Sequence, residues 1–361
     1  MELLIYLILF LLVLIVSSTT NKLLPFLPLP LVQILLGIVI GLFLPNTDFH
    51  LNTELFLALV IGPLLFRESE EADITAILKH WRIIVYLIFP VIFISTLSLG
   101  GLAHLLWLSL PLAACLAVGA ALGPTDLVAF ASLSERFSFP KRVSNILKGE
   151  GLLNDASGLV AFQVALTAWT TGSFSLGQAS SSLIFSILGG FLIGFLTAMT
   201  NRFLHSFLLS VRATDIASEL LLELSLPLVT FFLAEEVHVS GIIAVVVAGI
   251  LKASRFKKIT LLEAQVDTVT ETVWHTVNFM LNGSVFVILG MELEMIAEPI
   301  LTNPIYNPLL LLVSLIALTF VLFAIRFVMI YGYYAYRTRR LKKKLNKYMK
   351  DMLLLTFSGV K

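Results

Sequence analysis

The sequence predicts an all-α polytopic membrane protein, on three observations. Of its 361 residues, 58% are hydrophobic and 13% charged, against about 25% charged in an average soluble protein. Its apolar runs are long enough to cross a hydrocarbon layer of about 30 Å, which takes about 20 helical residues. No ten-residue alternation of the barrel type occurs, so a spanning backbone must pair with itself inside helices.

The opening run MELLIYLILFLLVLIVSS lacks the basic region of a cleaved leader and reads as a retained first helix over 2–18, Ser17 and Ser18 being a weak cleavage signal. Hydropathy and turn residues then predict helices near 23–45, 53–67, 82–107, 110–133, 141–171, 179–206, 216–236, 239–254, 267–292 and 307–336. These make about 11 complete spans, and a partial twelfth begins near Tyr348. The closing DMLLLTFSGVK is too short to cross, so the sequence reads as a fragment that stops within a helix.

Charge sets the sidedness. Counting connections along the chain, 22 of the 24 Lys and Arg residues fall on one side, from Lys22 to the run between Arg337 and Lys350. The positive-inside rule makes those basic loops cytoplasmic and puts the N-terminus outside. Arg326 and the last residue, Lys361, are the two left over.

Four polar features lie within or at the edge of the apolar runs. GPTDLVAF, Gly123–Phe130, falls inside the span 110–133, where the Gly-Pro pair removes a donor and predicts a break before Thr125 and Asp126. A packing kink explains the break but not a carboxylate at that depth, so an ion site is favoured there. GEGLLNDASGLVAF, Gly149–Phe162, puts Glu150, Asn154 and Asp155 in one apolar helix. Asp155 lies about 140° around the axis from Glu150, so the two acids face different partners, while Asn154 lies on the Glu150 side. Ser157 and Gly158 permit close helix approach. Arg326, in LFAIRFVMIY, stays charged and needs an acid: Glu150 is the candidate, with snorkelling to the cytosol as the alternative. Glu68, in GPLLFRESEEAD, sits at a helix end where a solvated acid is equally expected.

Other chemistries are disfavoured. Cys115 stands alone, which excludes a disulfide, and reads as a small buried hydrophobe. The scattered histidines share no ligand spacing, no glycine-rich phosphate loop occurs, and no cofactor is implied. The basic run near residue 340 reads as an anchor to the inner leaflet of the lipid rather than a nucleic-acid site.

GPTDLVAFASL followed by PKRVSNILKGEGLLNDASGLVAFQVAL resembles the cation:proton antiporter superfamily, in its sodium/proton exchanger branch with an Asn-Asp pair. LPLPLVQILLGIVIGL, AEEVHVSGIIAVVVAGIL and TFSGVK extend the likeness over nearly the whole chain. The resemblance implies an inverted-repeat antiporter fold whose broken fifth and twelfth helices cross, a dimerisation domain, and a homodimer in the plasma (inner) membrane that serves pH homeostasis. It makes residues 1–361 a single transmembrane transport unit, with core helices over about 82–171 and 267–361. It also implies an incomplete twelfth helix and a missing thirteenth, and hence poor transport by this piece alone.

Carried over by motif, Asp155 binds a monovalent cation or a proton, with Thr125 and Asp126 as the unwound-helix pair and Asn154 completing the set. Asn154 stands where electrogenic relatives have a second aspartate, which implies electroneutral exchange of Na+, or K+ or Li+, for H+. Glu150 and Arg326 match a core ion pair, and Glu68 an acid near the cytoplasmic funnel. Gly151 departs from the serine common in relatives and removes a possible ligand hydroxyl. The implied activity is transport rather than enzymatic catalysis, by alternating access. Two rival classes stand beside it: an intramembrane aspartyl protease, for which no Gly-x-Gly-Asp segment is present, and a cation channel, which needs a continuous pore.

Overall fold

A computed structural model describes residues 2–24, 26–43, 52–124, 138–171, 176–211, 215–253, 261–302, 308–340 and 348–358. Among the described residues there are helices and no strands. Those long and apolar enough to cross a membrane are Trp81–Leu106, Ile184–Leu208, Ile216–Glu236, Thr268–Ala297 and Pro308–Arg340; shorter apolar helices include Leu29–Phe43 and Leu112–Leu122.

The chain divides into two compact units. Unit 1 comprises Met1–Glu70 and Leu192–Pro308. It contains α1 (Glu2–Leu23), α2 (Leu29–Phe43) and α3, which runs from Thr53–Phe56 through a π-helical turn, Leu57–Ile61, into Gly62–Glu71. Unit 2 comprises Glu71–Phe191 and Leu309–Lys361. It contains α4 (Ile74–Leu78), α5 (Trp81–Leu106), α6 (Leu112–Leu122) and α7 (Lys141–Thr171). Helix α8 (Leu176–Ser210) passes from unit 2 into unit 1. Unit 1 resumes with α9 (Ile216–Glu236), α10 (Gly241–Ala253) and α11 (Leu261–Thr302), and unit 2 with α12 (Pro308–Arg340) and α13 (Met349–Phe357).

Local chemistry sets the helix limits. Asp73 caps α4 by accepting from the Ala76 N–H at 3.0 Å and the Thr75 hydroxyl at 2.6 Å, and these bonds hold its carboxyl below the usual range. Asp215 and Ser218 form a capping box at the start of α9. Within α5, Pro90 cannot donate to the helix ladder, and a π-helical turn over Leu87–Val91 absorbs the defect. Helix α6 stops at Leu122, immediately before Gly123 and Pro124. The stretch 110–133 is therefore helical only over its first part among the described residues, and Thr125 and Asp126 lie outside them.

Predicted boundaries shift, and one helix is new. The helix expected over 267–292 runs over Leu261–Thr302, the one expected over 53–67 reaches Glu71, and α4 was not anticipated. Hydropathy marks where a chain leaves the apolar layer, whereas Glu-rich ends such as Glu292, Glu294 and Glu298 remain good helix formers beyond it.

Packing within each unit follows helical stripes. On α12 the buried residues Ser314, Leu318, Leu322, Arg326, Ile330, Tyr334 and Thr338 recur every four positions, while Leu309, Phe320 and Val328 are exposed as a lipid-facing surface requires. In unit 2 one apolar cluster joins Ile83, Leu87 and Val91 of α5, Val143, Ile146 and Leu147 of α7, Ile330 and Tyr334 of α12, and Met352 and Leu355 of α13. In unit 1, α2 and α11 meet at a reciprocal glycine contact. A side chain on Gly37 would collide with the Val287 carbonyl, and one on Gly290 with that of Ile34.

Candidate functional site

Helix α7 carries three of the residues singled out in the sequence. Glu150 and Asn154 are completely buried, one helical turn apart. Asp155 follows on the same helix, and its side chain lies outside the described residues, as do Thr125 and Asp126. Ser157 folds back to donate to the Asn154 carbonyl at 2.8 Å.

The structure brings Glu150 and Arg326 together. Two parallel bonds of 2.8 Å run from Arg326 Nη1 and Nη2 to the two carboxylate oxygens, a fork matched to a fork. Arg326 Nε donates its remaining proton at 3.0 Å to the carbonyl of Leu355. That carbonyl belongs to the last turn of α13, where a helix runs out of its own donors and carries partial negative charge. One guanidinium therefore neutralises a buried acid and finishes a helix end, and all three of its nitrogens have a partner.

The approach of α7 to the end of α6 fixes the rest of the site. Gly158 faces Pro124 so closely that a methyl group on it would sit well inside the van der Waals contact distance of Pro124 Cγ. Gly158 stands three residues past Asp155, and Pro124 directly precedes Thr125 and Asp126. The backbone thus sets the Asn-Asp segment beside the end of α6. Glycine is required at 158 because a Cβ there would overlap the Pro124 ring, which cannot swing aside as an open side chain can.

Glu68 falls in unit 1, half-buried on the last turns of α3. Around that helix end the structure assembles Arg67 and Lys252, counted in the sequence only among the basic residues of one side, with two acids that the sequence analysis did not single out. Lys252 of α10 reaches Glu223 of α9 at 2.7 Å and Glu70 of α3 at 3.4 Å. Arg67 donates to Glu70 at 3.0 Å, and the Trp274 indole of α11 donates to Glu223 at 3.3 Å. Phe66 lies under the Lys252 ammonium and Trp274 under the Arg67 guanidinium. Nearby, His205 contacts both oxygens of Glu219 at 2.7 and 2.8 Å. A usable signal existed in the sequence: Glu219 and Glu223 share one helix stripe inside the apolar segment 216–236, which marks acids in need of partners just as it does for Glu150. Among the described residues, no group of three or more acidic, histidine or cysteine side chains is arranged to hold a metal ion.

Comparison with known proteins follows this geometry. The family described as "Sodium/hydrogen exchanger, transmembrane" matches residues 7–360. A sodium, potassium, lithium and rubidium/H(+) antiporter of Bacillus pumilus is 34% identical over 357 residues, covering 98% of this chain and 53% of the relative. The protein of the same description in Bacillus subtilis is 34% identical, covering 96% and 52%. An uncharacterized Na(+)/H(+) exchanger of Escherichia coli is 30% identical, covering 100% and 67%. The chain spans about half the length of the two Bacillus relatives. In fold it is similar to the sodium proton antiporter MjNhaP1 from Methanocaldococcus jannaschii, at a TM-score of 0.73 and 19% identity, over 99% of this chain and 83% of that one. With the family matched from residue 7 to residue 360, and relatives this similar along almost its full length, the chain belongs to the sodium/hydrogen exchanger family.

Proposed function

We propose that this chain exchanges a monovalent alkali cation, sodium foremost, for a proton by alternating access at Asp155. The observation that carries the reading is the seating of Gly158 on Pro124, which sets the Asn-Asp segment of α7 beside the break that precedes Thr125 and Asp126. The Bacillus relatives are named for antiport of sodium, potassium, lithium and rubidium, which supports the same cation class here.

The physical basis is competition for one charge. A carboxylate at membrane depth is costly unless neutralised, and either a proton or a cation neutralises it. If the two exclude each other and Asp155 opens to one side of the membrane at a time, each arrival on one side requires a departure on the other. Asn154, uncharged where a second acid would add a proton, keeps the exchange at one for one. Thr125 and Asp126 shape the cation's surroundings with hydroxyl, freed backbone and charge. Glu150 and Arg326 hold the frame without binding the cargo, and Glu68 draws cations toward the cytoplasmic entrance. The protein works as a homodimer in the plasma (inner) membrane, with its basic loops in the cytoplasm.

The test is cation-dependent proton flux across liposomes containing the whole native polypeptide, read with a dye for the pH gradient. Asp155→Asn is expected to abolish exchange with the fold intact. Wild-type rates in that variant would end the proposal.

A further inference from the structure

Arg142 stands in the first turn of α7, where the helix end is already partly positive and a cation is disfavoured. A loop arginine at the cytoplasmic surface would point into water. Arg142 instead turns inward onto the opposite strip of unit 2. Its Nη2 donates to the Tyr334 hydroxyl at 3.3 Å and its Nη1 lies 3.5 Å from Asp351 Oδ2. The guanidinium carbon is 5.5 Å from the centre of the Tyr334 ring and 5.0 Å from that of Tyr348, and the two rings are 5.4 Å apart. Tyr334 belongs to α12, Tyr348 immediately precedes α13 and Asp351 lies in its first turn, so one side chain ties the start of α7 to both helices.

The second tie between the same three helices is Glu150–Arg326–Leu355. The two ties are eight residues apart on α7, from Arg142 to Glu150, and eight residues apart on α12, from Tyr334 to Arg326. They are therefore two rungs of one antiparallel register, separated by about 12 Å. A helix held at two points can neither slide nor turn. Apolar packing of Val143, Ile146 and Leu147 and the seat of Gly158 on Pro124 also hold α7, but when the first rung is lost only the Glu150 tie remains of the two polar contacts that fix its register, with Arg142 eight residues to one side and Asp155 five residues to the other. Freedom of about 1 Å at the first rung then carries at most roughly 0.6 Å to Asp155 by the lever ratio of those arms. A binding constellation must be held to about 0.5 Å, so slack of that size is felt there.

We propose that Arg142 is a positioning residue for cation binding, acting through α7 on Asp155; this rests on the exchange reading above. The planar fork and its stacking on two rings supply the constraint, and a point charge does not replace them.

The experiment measures exchange kinetics and thermal unfolding of the whole native polypeptide in liposomes and detergent for Arg142→Gln, Arg142→Lys and Asp351→Asn, with Asp155→Asn in parallel. Arg142→Gln and Arg142→Lys are both expected to raise the KM for sodium by about three- to tenfold while the maximum rate stays within about twofold. A wild-type KM in folded Arg142→Gln overturns the proposal, and so does full rescue by Arg142→Lys, since charge alone would then suffice. If Arg142→Gln does not fold, Asp351→Asn and Tyr348→Leu each remove one arm of the same rung: a raised KM supports the assignment and an unchanged one overturns it. Failure of the exchange reading would show separately, as wild-type flux in Asp155→Asn.

Discussion

In unit 2 one arginine meets one glutamate with at most 3% of either side chain exposed, whereas in unit 1 Arg67, Glu70, Lys252 and Glu223 share a network in which each side chain keeps 10–16% of its surface. The deep pair has no water to repair a lost bond, and its geometry is correspondingly complete: both carboxylate oxygens and all three guanidinium nitrogens are engaged. The network has uneven contacts, from 2.7 to 3.4 Å, two cations for two carboxylates, and aromatic faces beneath both cations. Depth thus demands a matched pair, and a partly wetted helix end accepts redundancy.

The largest effect expected from this contrast is at Arg326. Arg326→Met leaves Glu150 charged and unpaired in an apolar interior, which costs about 3–5 kcal/mol, and frees the Leu355 carbonyl besides. Glu150→Gln with Arg326→Met removes both charges and should recover part of that loss but not all, because the end of α13 remains unsatisfied. Thermal unfolding of the two variants in detergent measures the difference. A double variant no more stable than Arg326→Met would refute the account of unit 2.

Gly158 comes next. Gly158→Ala forces a methyl group into Pro124, an overpacking cost of about 1–3 kcal/mol, and displaces α7 from the break in α6. Exchange should fall more steeply than stability does. Gly149→Ala is the control on the same helix: its methyl would meet Cδ1 of Ile84, a side-chain end that can move aside, and Cγ2 of Ile77, an open side chain that yields more easily than a proline ring. Equal loss of flux in both variants would remove the special role given to the contact at Gly158.

In unit 1, Lys252→Met takes one cation from a network that keeps Arg67 and the Trp274 donor. A loss of about 1–2 kcal/mol is expected, smaller than at Arg326 because water reaches these groups and redistributes the charge. The stability that Lys252 supplies should also shrink as salt is raised, whereas that of the Glu150 pair should not. Wild-type and variant unfolding compared at low and high salt tests both statements. A Lys252→Met effect as large and as salt-insensitive as that of Arg326→Met would erase the distinction between the units.

What the sequence disclosed and what it hid divide along the same line. A charge inside an apolar run must have a partner, so Glu150 and Arg326 could be matched before any coordinates existed, and Gly-Pro announced the end of α6. Lys252, Glu70 and Arg142 each sit at a helix end among loop charges, where solvent is the default partner. Only the packing of distant segments turns them inward. Helix α4 rests on a single Asp-Ile-Thr cap too short to create a hydropathy signal. The π-turns at Leu57–Ile61 and Leu87–Val91 are marked only by Pro63, just beyond the first, and Pro90, inside the second, and a proline announces a defect in the ladder without saying that a π-turn absorbs it. The residues around Asp126 were the plainest motif in the chain, yet their side-chain geometry lies outside the described residues.

The smallest effect concerns pH and belongs to the end of unit 2 that carries His80 and Arg142. Burial disfavours the charged form of His80, and Arg142, Arg337 and Lys79 add repulsion, so its ring titrates below the ordinary value of 6.5. The folded chain therefore binds this proton less readily than the unfolded one. Stability from the neutral ring is complete above about pH 6.5 and is lost as pH falls from there through the lowered folded value. His80→Asn removes that component, so the unfolding midpoint of the variant should decline less than that of the wild type as pH is lowered from about 6.5. Arg142→Gln, by relieving part of the repulsion, should also flatten the decline, though by less, because burial is the larger cause. Superimposable curves for wild type and His80→Asn would mean that the ring is no longer shielded from water. In that case the positive face formed by Arg142 and Arg337 would be open to solvent, and the first rung of the α7 register would be looser than the second.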